Sequence, residues 1–326
     1  MATELAKMGH NVFVICRSLK RTYHYIEDNV NVFRIYDKNY NTFSGYFSYR
    51  KKVAKKICKL YKKYKIDLIE TPDWGAETVF FKGHKNIPII VRLHTPLKIW
   101  LNYNNNNFGK IKNYMLKWEN QNLKNADLIT CCSNFLSTEI SSYFILNQKI
   151  HVIYNPMNSK DFYLDKNIVK ENSILFVGSL EERKGVLVLA EALNLIFERY
   201  PNLIMRFIGK DTTRNSFNES TKEIIYNIVK KQYHKNLLFL GQLSNQQLNY
   251  FYNSSRVAIY PSLFDNLPYV VLEAMSTGIY VVGSQNSGMV EMLDDDQYIY
   301  HTNNYIDLAH KVLFAYEKSL IEPYNF

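Results

Sequence analysis

No run of about 18 consecutive apolar residues occurs in this 326-residue chain, so no segment reads as a membrane-spanning helix. Met1-Ala-Thr-Glu lacks the charged start and apolar core of a secretory leader. Cysteine is scarce: Cys16, Cys58, Cys131 and Cys132 make no Cys-x-x-Cys pair and no metal-ligand spacing, and their apolar neighbours point to buried positions. That usage suits a reducing cytoplasm. Acid is in deficit, with 30 Asp+Glu against 40 Lys+Arg and a net charge of +10. An excess of this size suits an anionic partner, whether a nucleotide diphosphate, an anionic lipid surface or nucleic acid. Nucleic acid is the least favoured of these, because helix-turn-helix and finger spacings are absent and the basic segments carry no interleaved base-stacking motif. No Asp-x-Asp pair stands out as a metal site; Asp294-Asp-Asp296 reads as a solvated helix end, and metal-independent chemistry is expected.

What is present is a globular composition, 47% hydrophobic and 21% charged, in a length that suits about two domains. Strand and helix patterns alternate throughout, which predicts two doubly wound α/β domains facing each other across a cleft, residues 1–157 and 158–326. Strands are expected at 12–16, 31–35, 65–70, 88–93, 126–133, 174–177, 203–208, 237–240, 257–260, 279–282 and 298–300. A helical stretch is expected to start near Trp74. A long helix over 47–64 carries Arg50, Lys51, Lys52, Lys55, Lys56, Lys59, Lys62 and Lys63 opposite the apolar stripe Val53, Ile57, Leu60, Tyr61 and Tyr64. A solvated face explains those cations, and so does attachment to an anionic membrane surface.

The chemistry concentrates in residues 261–278, PSLFDNLPYVVLEAMSTG. They follow a buried strand and open a helix, so their loop sits at a strand's carboxyl end, where ligands bind in open α/β sheets and where a helix start offers N–H groups to an anion. Asp265 in the loop and Glu273 eight residues on place acids at either side of that anion. Phosphate in the middle and hydroxyls at both ends describe a sugar nucleotide. A second loop, Gly178-Ser-Leu-Glu-Glu-Arg-Lys-Gly185, also joins a strand to a helix, so that its amides and Lys184 can converge on a diphosphate. His94 stands just beyond another strand end, where a neutral imidazole can bond a sugar or a leaving phosphate.

These stretches resemble the acid-x7-acid signature and Gly-x5-Lys-Gly loop of retaining glycosyltransferases of family 4, which have the GT-B fold. The resemblance covers nearly the whole chain and implies transfer of a hexose from a nucleotide-diphosphate sugar to a hydroxyl acceptor, in cell-surface polysaccharide or glycolipid synthesis. The enzyme would be cytoplasmic, or peripheral on the inner face of the membrane. The implied catalytic residues are His94, Asp265, Lys184 and Arg183. For donor binding the resemblance points to Gly178, Ser179, Gly209, Lys210, Leu243 against the base, Asn266, Leu267, the amides of Tyr269 and Val270, and Glu273 on the ribose. Glu70 and Trp74, in the Glu-Thr-Pro-Asp-Trp-Gly loop expected at a strand end, are placed on the acceptor side, and the Asn-rich stretch 102–107 is expected to face the acceptor. The chain departs from the family in having Asp265 where the first acid is usually Glu, one methylene longer. It also has Ser179 where Arg is frequent and Ser287-Gly288 for Gly-Gly. The first strand with its glycine-containing loop and the last helix of the family are expected to be missing. Two other readings remain open: a non-catalytic GT-B subunit that binds a nucleotide sugar or a partner, and a sugar-nucleotide epimerase.

Overall fold

The computed structural model describes residues 1–37, 42–82, 87–102, 111–146, 148–157 and 160–324. Two compact units emerge: Met1–Lys98, Asn107–Thr130 and Phe144–His151 make the first, and Ile99–Asn106, Cys131–Tyr143 and Val152–Phe326 the second.

The first unit opens with α1 (Ala2–Lys7), β1 (Phe13–Ser18), β2 (Tyr23–Glu27) and β3 (Val30–Tyr36), with β3 parallel to β1 and antiparallel to β2. β2 was not among the expected strands. Its hairpin closes at Asp28-Asn29, both at positive φ (47° and 62°), the backbone that a two-residue primed turn requires. α2 (Phe43–Tyr64) starts earlier than the apolar spacing indicated, because the Thr42 side chain caps it by accepting the Gly45 N–H at 3.2 Å. Tyr49, Val53, Ile57 and Leu60 are buried, and Lys51, Lys52, Lys55, Lys59, Lys62 and Lys63 are exposed. Arg50 corrects the expected cationic face. It is buried, donating from Nε to the Gly75 carbonyl at 2.6 Å and from a terminal nitrogen to the Tyr46 carbonyl at 2.8 Å.

Further along the chain come β4 (Ile69–Pro72), β5 (Ile89–Leu93), α3 (Leu97–Asn102), α4 (Ile111–Lys124), β6 (Leu128–Cys131), α5 (Asn134–Tyr143) and β7 (Ile150–Val152), of which α5 and most of α3 belong to the second unit. The four strands lie in the order β4-β5-β6-β7, with β4 parallel to β5. The helical stretch expected from Trp74 does not form: residues 74–80 are turns. Gly75 (φ 84°) and Ala76 (φ 44°) are both left-handed, which stops a right-handed helix. The Asn-rich stretch 102–107 lies outside the described residues, apart from the main chain of Asn102.

The second unit carries β8 (Ser173–Val177), α6 (Val186–Arg199), β9 (Ile204–Ile208), α7 (Thr221–Ile228), β10 (Leu237–Gly241), α8 (Asn245–Ser254), β11 (Val257–Tyr260), α9 (Tyr269–Ser276), β12 (Tyr280–Ser284), α10 (Val290–Leu293), β13 (Ile299–Tyr300) and α11 (Tyr305–Ile321). Its six strands run β10-β9-β8-β11-β12-β13, all paired in parallel. Alternation divides each strand between two cores: Ile174, Phe176, Val257 and Ile259 pack with α6 and α11, and Leu175, Val177, Ala258 and Tyr260 with α9. Helices on both faces explain why these strands read as unbroken apolar runs. The strand order reverses between β8 and β11, so the loops after those two strands border the topological switch point.

Two glycines show how tightly those loops approach. A Cβ on Gly185 (φ 71°) would lie 1.7 Å from the Pro261 carbonyl oxygen, whereas one on Gly241 (φ 69°) would meet nothing within 4 Å. Both substitutions carry the left-handed penalty of about 1–2 kcal/mol. We predict that Gly185→Ala loses about 1–3 kcal/mol more than Gly241→Ala in denaturant unfolding of the whole chain, through overpacking. Equal losses would contradict the close approach.

Candidate functional site

In the second unit the carboxyl ends of β8, β9, β10, β11 and β12 are stitched together by main chain. Gly178 N–H donates to Ile208 O at 2.9 Å, Gly209 N–H to Gly241 O at 2.8 Å, and Leu180 N–H to Lys210 O at 2.9 Å. Leu263 N–H donates to Arg183 O at 2.9 Å, and Gly288 N–H to Asp265 O at 3.1 Å. A Cβ on Gly209 (φ 144°) would fall 1.9 Å from Gly178 O, and one on Gly288 1.7 Å from Asn266 O, so both crossings need glycine. Ser287 in place of a glycine is accommodated, since its hydroxyl donates to Ser284 O at 2.7 Å.

Lys184 and Asp265 meet where the two switch-point loops face each other, with Nζ 2.5 Å from Oδ2. Burial alone would raise the Asp265 carboxyl, but Lys184 and then Arg183 outweigh it and hold the group below its usual range. Arg183 is committed to the loop itself, donating to Glu181 at 2.9 Å and to the Phe264 carbonyl at 3.1 Å. Pro268 starts α9 with no side-chain cap, which leaves the helix entrance to the amides of Tyr269 and Val270. Glu273 lies one turn further along, half-buried, with the Tyr252 hydroxyl 3.1 Å from its Oε2; burial raises its carboxyl. Ser179 and Lys210 sit at the ends of β8 and β9, half-buried and exposed respectively. Asn266 and Leu267 are buried, and Leu243 and the Val270 side chain pack against the core beneath α9. Glu291 accepts the Asn134 and Phe135 N–H groups at the start of α5, so it caps that helix.

In the first unit His94 lies exposed just past β5. The crowding of its turn and then the Arg92 charge lower its affinity for a proton, which favours neutral imidazole. Glu70 lies in a strand as expected, within β4 and paired with Ile90, but the strand starts later, at Ile69, and continues to Pro72, and the Asp73 N–H still reaches Arg92 O at 3.1 Å. Trp74 follows in the turn, partly exposed. Two residues not singled out in the sequence lie beside His94. Asp73 and Glu119 are almost fully buried, and burial pushes their carboxyls up to about 7 and about 8. Arg17, paired with Asp37 at 3.4 Å and stacked on Tyr49, was also missed, because its partners are distant in sequence. Among the described residues no group of three His, Cys, Asp or Glu side chains gathers in a way that could hold a metal.

Residues 160–324 match the family model for glycosyl transferases group 1, and residues 1–161 that for glycosyltransferase family 4. The chain belongs to the glycosyl transferases group 1 family. This glycosyltransferase is 26% identical over 313 residues to an uncharacterized glycosyltransferase of Methanocaldococcus jannaschii, covering 90% of the chain and 76% of that relative. It is 24% identical over 198 residues to O-antigen chain mannosyltransferase B of Escherichia coli, covering 56% of the chain and 49% of the relative. Its fold is that of GT-B glycosyltransferases. Sucrose-phosphate synthase from Thermosynechococcus elongatus superposes with a TM-score of 0.78 at 18% identity, over 99% of this chain and 82% of that one. An Escherichia coli structure described as trehalose-6-phosphate bound with UDP-2-fluoro glucose superposes at 0.70 and 16% identity, over 98% and 88%.

Two outcomes follow for the glycosyltransferase. Lys184→Ala strands a mostly buried carboxylate and is expected to cost about 3 kcal/mol, most of it regained when Asp265→Asn is added; additive losses in the double variant would contradict the pairing. Asp73 and Glu119 hold protons in the fold that the unfolded chain has released, so they weaken the fold as pH rises. From about pH 5 to about pH 8 the thermal midpoint of the wild type should fall relative to Glu119→Gln. Parallel pH profiles would contradict it.

Proposed function

We propose that this chain moves a hexose from a nucleotide-diphosphate sugar to a hydroxyl acceptor with retention of anomeric configuration, in the assembly of cell-surface polysaccharide or glycolipid. The observation that carries the reading is the meeting of Lys184 and Asp265 at the strand-order reversal of the second unit. The bond from the anomeric carbon to the diphosphate breaks, a bond from that carbon to the acceptor oxygen forms, and the acceptor's proton leaves with the diphosphate. Little covalent chemistry falls to the protein beyond positioning and charge stabilisation. Lys184, with Arg183 behind it and the amides of Tyr269 and Val270, balances the diphosphate charge. Gly178, Ser179, Gly209 and Lys210 border that charge.

Asp265 and His94 orient the sugar, Glu273 bonds the ribose hydroxyls, Leu243 faces the base, and Asn266 and Leu267 shape the loop. Residues 158–326 form the donor domain and residues 1–157 the acceptor domain, with Glu70 and Trp74 toward the acceptor. Turnover needs no metal. The exposed lysines of α2 suit anionic headgroups at the inner face of a membrane, each worth about 1 kcal/mol near such a surface. The mannosyltransferase name of the Escherichia coli relative makes GDP-mannose the first donor to try.

Calorimetric titration with UDP and GDP tests the donor site. One of the two should bind with micromolar affinity, and the Lys184→Ala, Glu273→Ala double variant should weaken it about 100-fold or more, each charged contact being worth roughly a factor of ten. Undiminished binding by the variant, or none by the wild type, would refute the assignment. Release of GDP from GDP-mannose should continue unchanged in EDTA, and its loss would refute metal independence.

A further inference from the structure

The turn that carries His94 is held in an unusual way. Of residues 94–98, Pro96 has no N–H to satisfy. The remaining four N–H groups face two carboxyls from elsewhere in the unit. Asp73, in the loop after β4, accepts the Trp74 N–H at 2.7 Å and lies against the amides of His94 and Thr95. Glu119, on α4, accepts the Leu97 N–H with both oxygens at 3.0 Å, and the Lys98 amide lies against it. Asp73 is also tied through its own N–H to the Arg92 carbonyl at 3.1 Å, so it bridges the ends of β4 and β5.

Both carboxyls are 1% exposed, and among the described residues neither forms a salt bridge. Burying an acid without a cation is costly, and an ordinary turn could leave the same amides to water. What the arrangement provides is a turn whose donors face acceptors from two other elements, with little freedom to rotate.

We propose that Asp73 and Glu119 are positioning residues that fix the 94–98 turn and thereby hold His94 in its orientation for sugar transfer. The assignment rests on the role given to His94 above. Glu119→Gln keeps an acceptor oxygen in place, whereas Glu119→Asp keeps the acid but withdraws it by one methylene. Two readouts separate the turn from the chemistry: hydrogen exchange of the peptide covering residues 94–98, and release of GDP from GDP-mannose, or of UDP from UDP-glucose if that is the donor turned over.

Glu119→Asp should exchange faster in that peptide and lose roughly tenfold or more in kcat with an unchanged donor KM, while Glu119→Gln stays near wild type in both. In the His94→Ala background Glu119→Asp should cost nothing further. Wild-type exchange in Glu119→Asp overturns the proposal, and so does faster exchange with undiminished kcat while His94→Ala is impaired. Full kcat in His94→Ala would instead remove the role of His94, and the positioning assignment with it.

Discussion

The pairing of Lys184 with Asp265 is the contact on which the second unit's site depends. Each belongs to a loop that leaves a parallel strand beside the switch point, and the only regular structure in either loop is the short 3-10 turn Glu182–Lys184. A lysine and a carboxylate this close, mostly shielded from water, cannot be separated without stranding a charge. The surrounding glycines allow the approach and the main-chain bonds from Leu263 to Arg183 and from Gly288 to Asp265 make it permanent. A diphosphate entering there would meet a lysine already oriented and would compete with Asp265 for it. Asp265 would then be free for a hydroxyl.

The two units solve the burial of charge differently. In the second, opposite charges offset each other and the carboxyl is held ionised. In the first, Asp73 and Glu119 are offset by amides alone, and burial drives them toward the neutral form near neutrality. The second unit's arrangement keeps a cation at the strand ends; the first unit's supports an exposed imidazole.

Much of the second unit was legible in the sequence because doubly wound sheets write themselves plainly. Val257–Tyr260 has the bounds that its apolar pattern indicates. The motif at residues 261–278 falls at a strand end as its flanks require. The first unit was less readable. β2 is mostly exposed, so burial leaves no alternation to detect, and only the Asp28-Asn29 turn marks it. The turns after Trp74 imitate a helix in composition, and only the left-handed backbone at Gly75 and Ala76 decides against it. Arg50 looked like one more surface cation, because its partners, the Gly75 carbonyl and the Trp118 ring, come from other elements. Asp73 and Glu119 are ordinary acids in the sequence; their meaning comes from a turn 21 residues after one and 25 before the other only in the folded chain.

The proposed donor site puts the diphosphate of a sugar nucleotide between the loops after β8 and β11. The most direct test is a crystal structure of the chain with UDP or GDP bound. The account predicts the diphosphate oxygens against Lys184 and the amides of Tyr269 and Val270, with Glu273 on the ribose. A nucleotide held elsewhere, with the Lys184–Asp265 pair undisturbed, would contradict it.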